Sequence, residues 1–307
     1  MYKICLLTFG NTPWNDRLKR IIHSALLIER DKFVIEMING YPNKNYDIIF
    51  LCGIRVLTKN NFDIHQLRKY GRYIIEFGDF IDDPRDAGAN LYFYFNPSNK
   101  IIDGKKYLPK IIDDTDLFPN HSDKFTIYVD HYKHQNLHEA KISKEAIKFV
   151  FQQINIFKQL KIPFDLYFHS EKGIEKNPTK INLPNNVSQN CKILNYDEII
   201  TYYRKTHLFF PTHREKQGML AQEIGLCGGM TILQPWMYPK ETQYQFRHLL
   251  YNFNAPINLT KLKELIDDPQ FISKNRNHVL KYCTRDIFNK IFLKEINQVI
   301  KNGLSQY

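Results

Sequence analysis

The stretch Pro211-Thr-His-Arg-Glu215-Lys-Gln-Gly218-Met-Leu-Ala-Gln-Glu223-Ile-Gly-Leu-Cys227-Gly228 decides how the chain is read. One very apolar run, His207-Leu-Phe-Phe-Pro211, leads into it, and another, Met230-Thr-Ile-Leu-Gln-Pro235, leads out. Aromatic residues ending at a proline read as a buried strand, and the polar residues after it as a loop carrying Glu215. Gly218 lets the backbone approach a neighbour closely. The spacing then predicts a helix from about Met219 to Cys227 that breaks at Gly228-Gly229, followed by another strand. A helix start offers free N–H groups and partial positive charge to an anion. Glu223 falls one turn in, within reach of hydroxyl groups on a ligand whose phosphate sits there. Two unrelated acids on a solvated helix face are the plainer alternative, and the strand–loop–helix–Gly-Gly context argues against it.

Upstream, the same alternation repeats. Lys3 to Gly10, Phe33 to Ile38, Tyr46 to Gly53, Arg72 to Phe77 and Leu91 to Asn96 read as strands. An amphipathic helix from about Asn15 to Arg30 carries Leu18, Ile21, Ile22, Ala25 and Leu26 on one stripe, and a short helical piece covers His65 to Tyr70. Strands alternating with helices and short loops predict a parallel, doubly wound sheet, whose ligands bind beyond the strand C-termini. Beyond Phe125 the pattern resumes. Phe125 to Val129 and Pro163 to His169 are strands flanking a long helix over Ser143 to Leu160. Cys191 to Asn195 is a short strand, and a helix spans Asp197 to Lys205. Three helices close the chain: Thr260 to Pro269, Asn275 to Tyr282 and Arg285 to Lys301.

The central stretch resembles the donor-binding signature of the retaining GT-B glycosyltransferases of family 4. In that pattern a Pro-Ser-x-x-Glu loop precedes a second Glu and a Cys-Gly or Ala-Gly turn. Pro211-Thr212-His213-Arg214-Glu215, Glu223 and Cys227-Gly228 stand in those places. The resemblance implies two Rossmann-like domains with parallel sheets facing an interdomain cleft. It divides the chain into an acceptor-binding domain over 1–119, a nucleotide-sugar-binding domain over 120–284, and a C-terminal helix over 285–307 that crosses back to the first. Lys106 to Pro119 resembles the family's interdomain crossing.

By the same resemblance, Glu215 touches the donor sugar hydroxyls, Glu223 the ribose diol, and the amides near Gly218, Met219 and Leu220 face the sugar and diphosphate. Gly10 ends the loop beside the donor, and the strand holding Leu194 precedes the loop that contacts the base. Where the family has a Gly-Arg and a later Lys to neutralise the diphosphate, this chain has Asp130-His131 and Lys133. Lys133 is the first choice for the cation and His131 the second. Where the family often holds a His near the donor sugar, this chain has Gly78 followed by Asp79. Asp79 joins Glu215 and Lys133 as a catalytic candidate, in an acidic group with Glu76, Asp82 and Asp83 assigned to the acceptor side. An acidic loop that merely caps a turn is the competing account.

The implied reaction is metal-independent hexosyl or pentosyl transfer with retention, from a nucleotide-diphosphate sugar to an acceptor hydroxyl. No cofactor beyond that donor is expected. The departing diphosphate's charge falls to cations and backbone amides, and no protein nucleophile is expected.

Composition bounds the setting. A chain of 307 residues with 43% hydrophobic and 14% aromatic residues is globular and long enough for two domains. No apolar run reaches the ~20 residues of a membrane span. The first residues read as a strand and not as a signal peptide. Five scattered cysteines, Cys5, Cys52, Cys191, Cys227 and Cys283, sit mostly in apolar runs. They predict reduced core thiols in a cytoplasmic protein, with no disulfide framework or metal cluster. A net charge of +11 permits a polyanionic partner, yet Lys and Arg are spread through a chain rich in Lys, Asn and Ile, as compositional bias alone would produce. The acceptor therefore stays open between a glycan, a lipid-linked sugar met by peripheral membrane contact, and a hydroxymethylated DNA base as in phage enzymes. A non-catalytic nucleotide-sugar-binding protein on the same fold is the alternative of another class, and an epimerase is a third.

Overall fold

A computed structural model of the chain describes residues 1–8, 13–52, 63–78, 81–83, 86, 88–109, 112, 115–122, 125–131, 148, 152, 164–170, 187–190, 196–212, 219–238, 240–250 and 258–304. For 13–16, 130, 131, 164, 168–170, 187–190, 196, 241, 259, 303 and 304 it describes the backbone alone. The chain divides into two compact units, Met1–Ile111 with Arg285–Tyr307, and Ile112–Thr284.

The first unit is built on strands β1 (Tyr2–Thr8), β2 (Phe33–Asn39), β3 (Tyr46–Leu51), β4 (Gly71–Gly78), β5 (Leu91–Tyr94) and β6 (Lys105–Tyr107). They pair in the order β2-β1-β3-β4-β5-β6, and every pair is parallel. Near-continuous apolar runs are what such a sheet demands, because both faces are covered. Ile4 and Leu6 of β1 therefore join one core with Ile48, Phe50, Ile75, Phe77 and Phe93, while Cys5 and Leu7 join a second with Ile49, Leu51 and Ile74. Helix α1 (Pro13–Leu26) lays its stripe of Leu18, Ile21, Ile22, Ala25 and Leu26 on the first face. Each such side chain contributes about 2 kcal/mol of burial before the entropy of ordering is set against it. Helix α2 (Ile64–Leu67) covers the second face with Ile64 and Leu67, and its start is capped by Asp63, which accepts the His65 N–H at 2.8 Å.

The second unit holds β7 (Phe125–His131), β8 (Phe164–Ser170), β9 (Val187–Asn190), β10 (Leu208–Pro211), β11 (Met230–Leu233) and β12 (His248–Leu250). Their order is β12-β11-β10-β7-β8-β9, again wholly parallel. Read from the other edge, this is the dinucleotide-fold order 3-2-1-4-5-6, with the direction of winding reversing between β7 and β10. Its helices are α3 (Tyr196–Lys205), α4 (Leu220–Leu226), α5 (Lys240–Gln243), α6 (Leu259–Ile266) and α7 (Phe271–Leu280). Ile112 and Leu117 are buried in this unit's core beside Tyr128, Phe209 and Ile224, so residues 112 and 117 pack with the second sheet. The last helix, α8 (Arg285–Val299), returns to the first unit. It places Phe288, Phe292, Ile296 and Val299 against the first core, with the Phe292 ring 5.7 Å from Phe50 and 5.9 Å from Phe93.

Three short strands were not legible in the pattern: β6, β9 and β12. Lys105-Lys-Tyr107 and Val187-Ser-Gln-Asn190 are polar edge strands, which lack the apolar run that marks a strand buried on both faces. Of the helix expected over Ser143–Leu160, only Lys148 and Gln152 fall among the described residues, and Cys191–Asn195 lies outside them.

Candidate functional site

In sheets of this kind ligands bind past the strand C-termini, where the winding reverses. In the second unit that point lies between β7 and β10, whose register sets Pro211 beside Asp130 and Phe210 beside Val129. Two of the segments singled out in the sequence therefore leave the sheet from neighbouring strand ends. One begins at Asp130-His131 and leads to Lys133, and the other begins at Pro211-Thr212 and leads to Glu215 and Gly218. His131 is the last residue of β7, with its side chain outside the described set. Lys133, Leu194, Glu215 and Gly218, and in the first unit Gly10 and Asp79, also lie outside the described residues.

The helix of the motif is one residue shorter at each end than its spacing predicts, Leu220–Leu226. Ala221, Gln222, Ile224, Gly225 and Leu226 are buried. Met219, Leu220 and Glu223 are half-buried. They follow one another at helical spacing and form the half-buried stripe of an otherwise buried helix, with Met219 and Leu220 packed at the edge of the core. Glu223 is its one charged side chain.

The other end of α4 is fully tied down. A helix leaves its last carbonyls without partners inside the helix. Here the Arg276 guanidinium donates to the Leu226 carbonyl, His121 Nε2 donates to the Cys227 carbonyl at 2.7 Å, and Asn275 Nδ2 donates to the Gly228 carbonyl at 2.9 Å. Arg276 also donates to the Leu117 carbonyl. A guanidinium at this terminus further complements the negative end of the helix. Gly228 turns the chain at φ 90°, a left-handed conformation that favours glycine. Gly225 allows α7 to approach, since a Cβ there would lie 2.5 Å from Val279 Cγ2. These partners sit far away in sequence and carry no local motif, so the sequence reading missed them.

Beneath that turn two imidazoles pack edge to face with centroids 4.2 Å apart, His121 and His207. His207 Nδ1 accepts the Thr126 N–H at 3.0 Å, which fixes the ring as a neutral acceptor and ties β10 to β7. Burial pushes both imidazoles below their ordinary range, and the neighbouring His121 adds to the effect on His207, which falls to about 3. Burial, with the Glu223 charge second, pushes the Cys227 thiol up to about 12, so this thiol stays protonated.

In the first unit, Gly78 ends β4, and the space a side chain would take there is filled. An ideal Cβ would lie 1.5 Å from the Tyr92 hydroxyl. Of the acids grouped with Asp79, Glu76 is fully buried and Asp83 nearly so. Asp82 is exposed and pairs with Lys100 at 2.5 Å, whose hydrogen bond and charge hold its carboxyl below the usual range. Asp86 pairs with Lys105 at 2.5 Å.

Among the described residues, no group of three or more His, Cys, Asp or Glu is placed to hold a metal ion. Cys5, Cys52, Cys227 and Cys283 are buried free thiols. No helix of the described residues is long and apolar enough to cross a membrane.

No family model matches the chain, and no curated protein matches it by sequence. Solved structures do match it along nearly its whole length. A sucrose-phosphate synthase from Thermosynechococcus elongatus is similar with a TM-score of 0.64 at 12% identity, covering 98% of this chain and 100% of that one. A lipopolysaccharide outer core galactosyltransferase in its apo form gives 0.59 at 10%, covering 96% and 99%. A UDP-GlcNAc 2-epimerase from Neisseria meningitidis, solved with UDP-GlcNAc bound, gives 0.56 at 11%, covering 96% and 100%. Two parallel-sheet α/β units, shared with these proteins over this length, make the architecture the GT-B fold.

Proposed function

We propose that the chain is a glycosyltransferase that moves a sugar from a nucleotide-diphosphate donor to an acceptor hydroxyl, with retention and without a metal. The observation that carries the reading is the place of Glu223 on the half-buried stripe of α4. Beside the strand ends where the winding reverses, a buried helix keeps Met219, Leu220 and Glu223 only half-buried, with Glu223 its one charged residue. Nucleotide-sugar chemistry supplies a partner for each element. Ribose hydroxyls donate to the Glu223 carboxylate, and sugar hydroxyls donate to Glu215. The diphosphate lies toward the loop from β7, where Lys133 or His131 meets its charge. As the bond from C1 of the sugar to the phosphate oxygen breaks, the acceptor oxygen bonds to C1 from the same face. Its proton passes to the departing phosphate oxygen.

The GT-B fold is shared with epimerases, so the fold leaves the activity to the site. The Glu215–Glu223 pair in its strand–loop–helix setting favours transfer over epimerisation. A second reading, a nucleotide-sugar-binding protein without turnover, is favoured by one feature. At Gly78, where the resemblance expects a histidine, Tyr92 fills the space.

A thermal-shift panel of nucleotide sugars, followed by transfer and donor hydrolysis on mixed glycan, lipid-linked and hydroxymethylated-DNA acceptors, tests both. Glycosyl transfer supports the enzyme, and binding without turnover supports the second reading. A panel that stabilises nothing contradicts both. An acceptor on DNA would further show retention on duplex DNA that falls steeply with salt.

A further inference from the structure

The first unit carries a hollow at the start of its strands, at the end of the sheet away from the strand C-termini. It is a cavity of about 350 Å³ where the starts of β1, β3 and β4 meet the turn after α2. The register sets Ile4 beside Ile48 and Ile48 beside Tyr73, so Lys3, Asp47 and Arg72 form one row across three adjacent strands. Arg68 and Lys69 join them from the turn. Four cations thus face a space whose lining holds one carboxylate. Asp47 accepts the main-chain N–H of Lys3 at 2.8 Å and forms no ion pair with its neighbours among the described residues. Arg68 donates to the Gly88 carbonyl at 2.9 Å. Glu36 offers no compensation. Lys44 holds it at 2.7 Å, as does the hydroxyl of Tyr46, another lining residue.

Cations that converge on a concave surface raise its positive potential, and an anion seated among them relieves their mutual repulsion. Arg68 and Lys69 also suit the C-terminal end of α2, yet that helix has only four residues, and Lys3 and Arg72 come from strands. The volume falls within the range of small-molecule pockets. We propose that this hollow is an anion site for a small phosphorylated molecule, separate from the strand-end site of the second unit. Arg72 contributes its planar fork and Lys69 its ammonium to the phosphate oxygens. The plainer account, a solvated row of cations, predicts no saturable binding.

Hydrogen exchange on the full chain, read at peptides spanning Gln66 to Tyr73, tests the assignment with inorganic pyrophosphate titrated at constant ionic strength. The expected result is saturable protection there. Its midpoint rises about tenfold in Arg72→Ala and about a hundredfold in Lys69→Ala/Arg72→Ala. Because both side chains are exposed, the variants keep the wild-type melting curve. Absence of saturable protection at that peptide in the wild type overturns the proposal, as does an unchanged midpoint in the double variant. Protection seen only with phosphatidylglycerol-containing vesicles, or only with duplex DNA, overturns the small-molecule assignment.

Discussion

The two sheets are the same kind of object, six parallel strands each, but their C-terminal ends are finished differently. In the first unit the end of β4 is closed by neighbouring side chains. Tyr92 fills the place of a side chain at Gly78, Lys100 holds Asp82, and Lys105 holds Asp86. In the second, α4 is fastened at its far end by Arg276, His121 and Asn275, while its stripe of Met219, Leu220 and Glu223 stays half-buried. A firmly held helix beneath a part-exposed carboxylate is the arrangement a binding site needs, because a held backbone loses little entropy when a ligand arrives.

The largest effect expected from this contrast is on catalysis. Glu215→Ala lowers kcat by roughly 10²–10³-fold, the scale of losing a positioned polar group in an active site. Glu29→Ala, which removes an ion pair with Lys32 away from either strand-end site, leaves kcat within about twofold. Steady-state kinetics on the best donor check the pair, and equal losses would erase the difference between the units.

Packing gives the next test. In Gly78→Ala the new methyl collides with the Tyr92 hydroxyl, and stability falls by about 3 kcal/mol in urea denaturation. An unchanged midpoint would mean that the end of β4 is not closed.

The support beneath α4 is sensitive to acid. His207 titrates at about 3 when folded and near 6.5 when free, so the unfolded chain takes up its proton first as the pH drops. Its contribution to stability is intact above about pH 6.5 and declines between about pH 6.5 and 3, reaching a loss of about 2 kcal/mol at pH 5. His121 adds in the same direction. Denaturant melts at pH 7 and pH 5 read the slope. His207→Asn, which still accepts the Thr126 N–H but does not titrate, flattens it.

Smallest is the ion pair of Asp82 with Lys100, whose side chains are 59% and 62% exposed. Lys100→Ala shifts stability by less than about 1 kcal/mol.

The sequence was most informative where burial is two-sided. Ile48-Ile-Phe-Leu51 and Ile74-Ile75 read as strands because a sheet covered on both faces needs an unbroken apolar run, and α4 is bounded by Gly228 at a positive φ that its position requires. The polar edges β6 and β9 offer no such run. Nor could the sequence show what holds α4. Arg276 lies 50 residues from Leu226, and His121 lies 106 residues from Cys227, so these hydrogen bonds exist only once the sheet has formed. Glu223 was legible by its place in a motif. That its neighbours on the helix are buried and it is not became visible only with the packing.

The most direct measurement is a crystal structure of the chain with a nucleotide sugar that stabilises it. The account predicts the diphosphate at the C-terminal ends of β7 and β10, with ribose hydroxyls donating to Glu223. A ligand bound elsewhere, or a Glu223 carboxylate that contacts only protein while the donor is present, would contradict it.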